Sequence, residues 1–234
     1  MYSAASRLNN ILESLLNLIY PAKCIACAKV LPHGVSLHVC EPCFPKLEFI
    51  NEKTRGNFHF DYNTSFFEYN DTLRRIILDI KFGKKAHKMV SLANIAVNAD
   101  GSLATKYIDF DAVVPVPLHA NRLKERGFNQ AHVLAKVIAK AANLPLDDNI
   151  CMRTVDTMPQ SMMHSSHRHD NVHDVFKIRD GADVSGKNFV LVDDVFTSGE
   201  TLNSLAAAFK DDGAEAIVCI TACMAYTKTT DLTM

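Results

Sequence analysis

The residues that most restrict the fold of this chain run from Phe189 to Leu202: Phe-Val-Leu-Val-Asp-Asp-Val-Phe-Thr-Ser-Gly-Glu-Thr-Leu. Four consecutive apolar residues have the length and composition of a buried strand. That strand delivers Asp193 and Asp194 to a turn rich in hydroxyls, and helical spacing follows from Leu202 to Lys210. A buried strand that feeds directly into a helix is the repeating unit of an α/β protein.

The same alternation continues along the chain. Asp111-Ala-Val-Val-Pro-Val-Pro reads as a strand running into a loop, Asn129 to Ala142 as a helix, and Ala216-Ile-Val-Cys-Ile-Thr as a strand. This order predicts a mainly parallel sheet flanked by helices on both faces, with ligands at the carboxyl ends of the strands. Upstream, Phe58, Phe60, Tyr62, Phe66, Phe67 and Tyr69 mark a strand-like aromatic segment, suited to packing on a core or to stacking bases. Helical patterns follow from Asp71 to Ile80 and from His87 to about Val97. The stretch from Thr154 to His173 has no clean period and is expected to be a long mobile loop.

What the Phe189–Leu202 segment can bind follows from its side chains. Thr197, Ser198, Gly199 and Thr201 offer hydroxyls and approachable backbone N–H groups. The helix behind them adds the positive end of its dipole, so the turn suits a phosphate. Asp193 and Asp194 can accept hydrogen bonds from vicinal ribose hydroxyls or hold Mg²⁺ through oxygen. Together the two halves specify a sugar phosphate. A Walker A loop is excluded because the chain has no Gly-Lys-Ser/Thr, and the dinucleotide fingerprint is excluded because its spaced glycines are missing. Glu200 works against the assignment, since a carboxylate at the phosphate end of a helix weakens anion binding unless it points outward. Arg122, Lys124 and Arg126 follow a strand end and precede Gly127, a good position for phosphate, although a solvated loop has the same composition.

A second constellation lies near the start. Cys24-x-x-Cys27 and Cys40-x-x-Cys43 are separated by twelve residues, the arrangement of a four-cysteine zinc site whose thiolates leave no open position. Redox pairs or empty thiols are the alternatives. Seven cysteines, four of them in local pairs, fit a reducing compartment, and Cys151, Cys219 and Cys223 read as buried apolar residues. Leu8 to Ile19 has the spacing of an amphipathic helix, and no run approaches the roughly 20 apolar residues of a membrane span, so a cytoplasmic protein without membrane insertion is expected.

The formal charge of -1 confines any nucleic-acid contact to a local patch. One candidate carries Arg74, Arg75, Lys81, Lys84, Lys85 and Lys88 against Asp71 and Asp79; it suits phosphates, or forms a solvated helix face. His164, His167, His169 and His173 are read as part of the solvated loop and not as metal ligands. A chain of 234 residues with 48% hydrophobic residues can bury one main core plus a small appendage. The expected organisation is an amphipathic helix and four-cysteine zinc-finger module over 1–50, a main domain over 51–226 and a frayed tail over 227–234.

The phosphate-loop segment resembles the phosphoribosyl pyrophosphate (PRPP) motif of type I phosphoribosyltransferases, and most of the chain is similar to one branch of them, the ComF family. The likeness comprises the two Cys pairs, Tyr69 with Lys81-Phe82, Val114-Pro-Val-Pro-Leu-His119, Arg126-Gly-Phe-Asn-Gln130, Gln160 with Arg168 and Asn171, and Val192 to Thr201. The resemblance implies a type I phosphoribosyltransferase fold with a small N-terminal zinc module. It also implies that Asp193 and Asp194 act on the ribose hydroxyls and Mg²⁺, while Thr197, Ser198, Gly199, Glu200 and Thr201 form the 5′-phosphate loop. The loop after Val116, with Arg122 and Arg126 nearby, would face the pyrophosphate, and Lys81 would be a further cofactor-binding residue. The family is linked to natural transformation and the handling of single-stranded DNA, with a competence protein as a further partner. Three readings are open: a Mg-dependent transferase acting on a nucleobase-like acceptor, a non-catalytic ribose-phosphate sensor, and a scaffold that binds DNA or protein.

Overall fold

The computed structural model describes residues 21–155 and 175–225, apart from 33, 36 and 51. The helical pattern from Leu8 to Ile19, Gln160, Arg168, Asn171, the four loop histidines and the tail 227–234 lie outside the described residues.

A five-stranded sheet organises the molecule. Its strands are β1 (Lys53–Thr54), β2 (Tyr62–Glu68), β3 (Ala112–Pro115), β6 (Asn188–Phe196) and β7 (Ala216–Met224). Their order is β1-β2-β7-β6-β3, and every pairing is parallel except that of the short edge strand β1. Two further strands, β4 (Cys151–Arg153) and β5 (Phe176–Ile178), pair antiparallel beside it. The aromatic segment upstream is strand only from Tyr62. Phe58 and Phe60 stack on each other at 4.6 Å and pack edge-on against Phe196.

Helices cover both faces, as the strand-helix alternation predicts. On one face lie α1 (Asp71–Phe82), α2 (Ala86–Asp100) and α5 (Gln130–Ala142); the short helices α3 (Leu103–Lys106) and α4 (Ala120–Arg126) connect elements at its margins. On the other lie α6 (Glu200–Asp211) and the β4–β5 pair. Each long helix has a local cause. Asn70 caps α1 by accepting from the N–H groups of Thr72 and Leu73, and Leu73, Ile76, Ile77 and Ile80 form its buried stripe. Asn129 caps α5 in the same way through the N–H of Ala131. Alternation along β6 sends Val190 and Val192 into the first core, and Phe189 and Leu191 into the second.

The cysteine segment packs on the first of these cores. Cys24, Ile25, Leu31, Val39, Cys43 and Leu47 are buried together with the α1 stripe. The joint is held by Lys88, which the sequence placed in a basic stretch suited to phosphates. Its buried ammonium donates to the carbonyl of Ile25 at 2.6 Å and to Asp79 Oδ2 at 2.7 Å. A charged hydrogen bond at a buried carbonyl contributes about 1.5–3 kcal/mol, because its loss leaves that acceptor unsatisfied. Lys88→Ala should therefore lower the urea unfolding free energy by about 2 kcal/mol. Lys85→Ala, which removes a half-exposed partner of the same Asp79, should cost less than about 0.5 kcal/mol. Equal losses in the two variants would show that Lys88 does not clamp the module.

Candidate functional site

Asp193 and Asp194 lie inside β6 and not in the turn after it, because the strand continues to Phe196. Successive residues of a strand point to opposite faces, so the two carboxylates diverge. Asp194 meets Lys81 from the last turn of α1 at 2.9 Å, and its side chain is only 10% exposed. Asp193 is half-buried and accepts the N–H of Asp194 at 2.8 Å. Burial raises the Asp193 carboxyl, the charge of Asp194 adds to the effect, and Lys81 and Arg153 oppose it, leaving a value of about 7. For Lys81, burial disfavours the ammonium, but Asp194 outweighs burial and keeps it charged.

Both acids line a cavity of about 430 Å³ at the carboxyl ends of β3 and β6. Thr197 and Thr201 line it from the turn, Arg122 and Arg126 from α4, and Lys81 from α1. Seven of the residues singled out by the sequence thus surround one space of the size that small ligands occupy, while Ser198, Gly199 and Glu200 are not among its lining residues. Among the described lining residues, four cations, Lys81, Arg122, Arg126 and Arg153, face two carboxylates, a positive excess suited to a multiply charged anion. The basic Arg122–Arg126 stretch is a helix and not a loop. Its two arginines stand four residues apart on one helical face, whereas Lys124 is exposed and stands outside the wall.

The turn has its own structural requirement. Gly199 has φ +79°, and a Cβ there would lie 2.9 Å from Phe196 and 3.1 Å from Phe58. Phe58 therefore packs against the phosphate-type turn, which answers the choice between packing and base stacking for that residue. Ser198 Oγ accepts the N–H of Glu200 at 3.5 Å. Glu200 opens α6 as an exposed residue outside the cavity wall, the outward placement that leaves anion binding least affected.

Tyr69, Asn129, Gln130 and Arg153 also line the cavity, as does His119 from the loop after Val116; the first three lie in the family-like segments, but sequence reasoning gave none of the four a role there. Gln130 is the most telling. It is 2% exposed, its Oε1 accepts from Arg126 at 3.2 Å, and its Nε2 has no hydrogen-bond partner among the described residues. A buried amide donor facing a cationic cavity without an acceptor fits a ligand oxygen. Arg153, at the end of a three-residue strand, gives no pattern that a sequence could reveal.

The four N-terminal cysteines form a separate centre. Their sulfurs lie within 4.8 Å of one another, and those of Cys27 and Cys40 are 3.6 Å apart. A tetrahedron with metal–sulfur legs of about 2.3 Å has edges of about 3.8 Å, so the set is able to hold a metal ion. For Cys24, burial raises the thiol, yet the backbone N–H groups of Cys40, Cys27 and Ala26 outweigh it and bring the value to about 6. Burial and the neighbouring thiols push Cys43 to about 12, so four thiolates together require a cation. Cys151, Cys219 and Cys223 are buried, as expected of apolar fillers.

The sign of one pH effect follows from the acid pair. An aspartate of ordinary value, 3.8, releases its proton well before folded Asp193 does at about 7. Between those values the native state holds the extra proton, so this contribution to stability is complete below 3.8 and is lost as pH rises through about 7. Asp193→Asn should melt above the wild type at pH 8 and alongside it at pH 4. Parallel melting curves at both pH values would contradict the assignment.

Comparison with known proteins agrees with this geometry. The phosphoribosyl transferase domain model matches residues 129–232. Competence protein F of Haemophilus influenzae is 33% identical over 112 residues, covering 46% of this chain and 47% of the relative. Competence protein ComFC of Bacillus subtilis is 28% identical over 185 residues, covering 78% and 71%. DNA utilization protein YhgH of Escherichia coli K12 is 32% identical over 107 residues, covering 46% of each. The match thus spans about half the length of the Haemophilus and Escherichia relatives. No helix among the described residues is long and apolar enough to cross a membrane. With its parallel sheet and its acid pair beside the turn, the chain carries a type I phosphoribosyltransferase-like domain and is similar to the competence proteins F and ComFC.

Proposed function

We propose that the cavity at the end of β6 binds PRPP or a closely related ribose phosphate, and that the protein serves competence and the handling of incoming DNA. The observation that carries the first part is the convergence of Asp193, Asp194, Lys81, Arg122, Arg126, Thr197 and Thr201 on one cavity of about 430 Å³. The names of the relatives, two competence proteins and a DNA utilization protein, support the second.

In this reading the acids accept hydrogen bonds from the ribose hydroxyls, and the turn from Thr197 to Thr201 holds the 5′-phosphate through its hydroxyls and amides. Arg122, Arg126 and Arg153 would take the pyrophosphate, with the unpartnered Gln130 amide completing the donors on that side. Mg²⁺ bound with PRPP would supply further neutralisation of the pyrophosphate, and the hard oxygens of Asp193 and Asp194 fit it. Lys81 sets the charge that Asp194 presents to the sugar. Cys24, Cys27, Cys40 and Cys43 would hold a structural zinc ion, which their tetrahedral spacing and lack of an open position favour.

Calorimetric titration with PRPP and Mg²⁺ tests the reading. The wild type should bind, and the double variant Asp193→Asn, Asp194→Asn should lose at least tenfold in affinity, about 1.4 kcal/mol. Unchanged binding in the double variant would overturn it. Pyrophosphate release on addition of a panel of nucleobases, abolished by Asp194→Asn, identifies a transferase; binding without release identifies a sensor.

A further inference from the structure

We propose that the four-cysteine centre is a peroxide-sensitive modification site: Cys27 is the sulfur that meets the oxidant, and Cys40, from the other Cys-x-x-Cys pair, resolves it as a disulfide that releases the metal. This applies to the zinc-loaded centre of the proposed function and rests on that reading. There all four sulfurs are thiolates, so accessibility and surroundings separate them.

The four ligands are not equivalent. Cys24 and Cys43 are 1% and 6% exposed and belong to the core shared with α1. Cys27 is exposed and Cys40 half-buried. Each Cys-x-x-Cys pair thus has one buried and one more accessible member, and the two accessible sulfurs lie 3.6 Å apart across the pairs. The buried side is also engaged, since Cys24 Sγ accepts the N–H of Cys40 at 3.4 Å. Backbone bonds hold the two pairs side by side: Ile25 donates to the carbonyl of His38 and Leu31 to that of Ala22, each at 2.8 Å. A disulfide of about 2.05 Å therefore needs only a small closure between Cys27 and Cys40.

Surroundings assign the order of events. Cys27 borders a cleft of about 690 Å³ that Lys23, Lys46, Arg75, Lys85 and Lys88 also line, with Asp79 the one carboxylate among its described lining residues. Reactive cysteines occupy partly exposed, electropositive surroundings of this kind, where cations favour the thiolate and the hydroxide that leaves. Cys40 borders a different, mainly apolar groove with Val30, Leu37 and Phe44. The first step accordingly falls to Cys27 and the second to Cys40. In the first, the Cys27 thiolate attacks hydrogen peroxide: the O–O bond breaks, an S–O bond forms, two electrons pass from sulfur to peroxide, and hydroxide leaves behind a sulfenic acid. In the second, the Cys40 thiolate attacks the Cys27 sulfur: the S–S bond forms, the S–O bond breaks, and a second hydroxide leaves. Two protons from solvent convert the hydroxides to water. Only Cys24 and Cys43 then remain as ligands, too few for a closed tetrahedral zinc site.

The test treats the full zinc-loaded chain with hydrogen peroxide, follows zinc release with a chromogenic chelator and maps disulfides by mass spectrometry of its peptides. Zinc should leave in step with a Cys27–Cys40 disulfide, the linked peptides being lighter by two hydrogens, and a thiol reductant with added zinc should reverse both. Cys40→His, which keeps a Cys₃His ligand set, should stop at the sulfenic acid and take dimedone on Cys27. Cys27→His should keep its zinc over the time in which the wild type loses it, with no dimedone on Cys40. Should either histidine variant fail to load zinc, the disulfide map of the wild type decides alone. A disulfide within either Cys-x-x-Cys pair, between Cys24 and Cys43 or between two copies of the chain would overturn the proposal, as would sulfinic acid at Cys27 without any disulfide. Zinc content measured before oxidation separates the two readings. A chain purified under reducing conditions without zinc would sink both, whereas a zinc-loaded chain that forms another disulfide, or none, sinks this one alone.

Discussion

Two carboxylates on consecutive residues of one strand cannot share a side of the sheet. The pleat sends Asp193 and Asp194 to opposite faces, and most of the site follows from that constraint. Both acids need countercharge from other elements. Lys81, arriving from α1, meets Asp194 at 2.9 Å and acts on Asp193 as well, where the charge of Arg153, at the end of β4, adds to it. The cavity is therefore assembled from elements distant in the chain, and a helix that precedes the matched phosphoribosyl transferase domain completes it.

Much of this was legible in the sequence because it is local. The buried run Phe189–Val192, the acids, and the Thr-Ser-Gly turn are contiguous, so their order alone points to a strand, an acceptor pair and an anion loop. The two Cys-x-x-Cys pairs carry their geometry in their spacing. Helices α1, α2 and α5 show apolar periodicity over several turns, and their observed ends lie within a few residues of those expected.

What stayed hidden depends on contacts between distant residues or on elements too short to show a period. Helix α4 spans seven residues, has no buried stripe and follows two prolines, so it reads as a loop. Arg153 comes from a three-residue strand. Composition cannot separate the lysines of the basic stretch, yet they divide among three tasks. Lys81 neutralises Asp194, Lys88 clamps the cysteine module, and Lys85 shares Asp79 with Lys88. The same holds for the aromatic segment, where Phe58 is spent on packing the turn at Gly199, a role that only the third dimension reveals.

If the acid pair and the Thr197–Thr201 turn hold opposite ends of one phosphorylated pentose, a crystal of the chain soaked with ribose 5-phosphate should show it. The phosphate should lie within hydrogen-bonding distance of the turn amides, with the ribose hydroxyls on Asp193 and Asp194. A sugar bound elsewhere, or seated in the cavity with its phosphate turned away from Thr197 and Thr201, would contradict it.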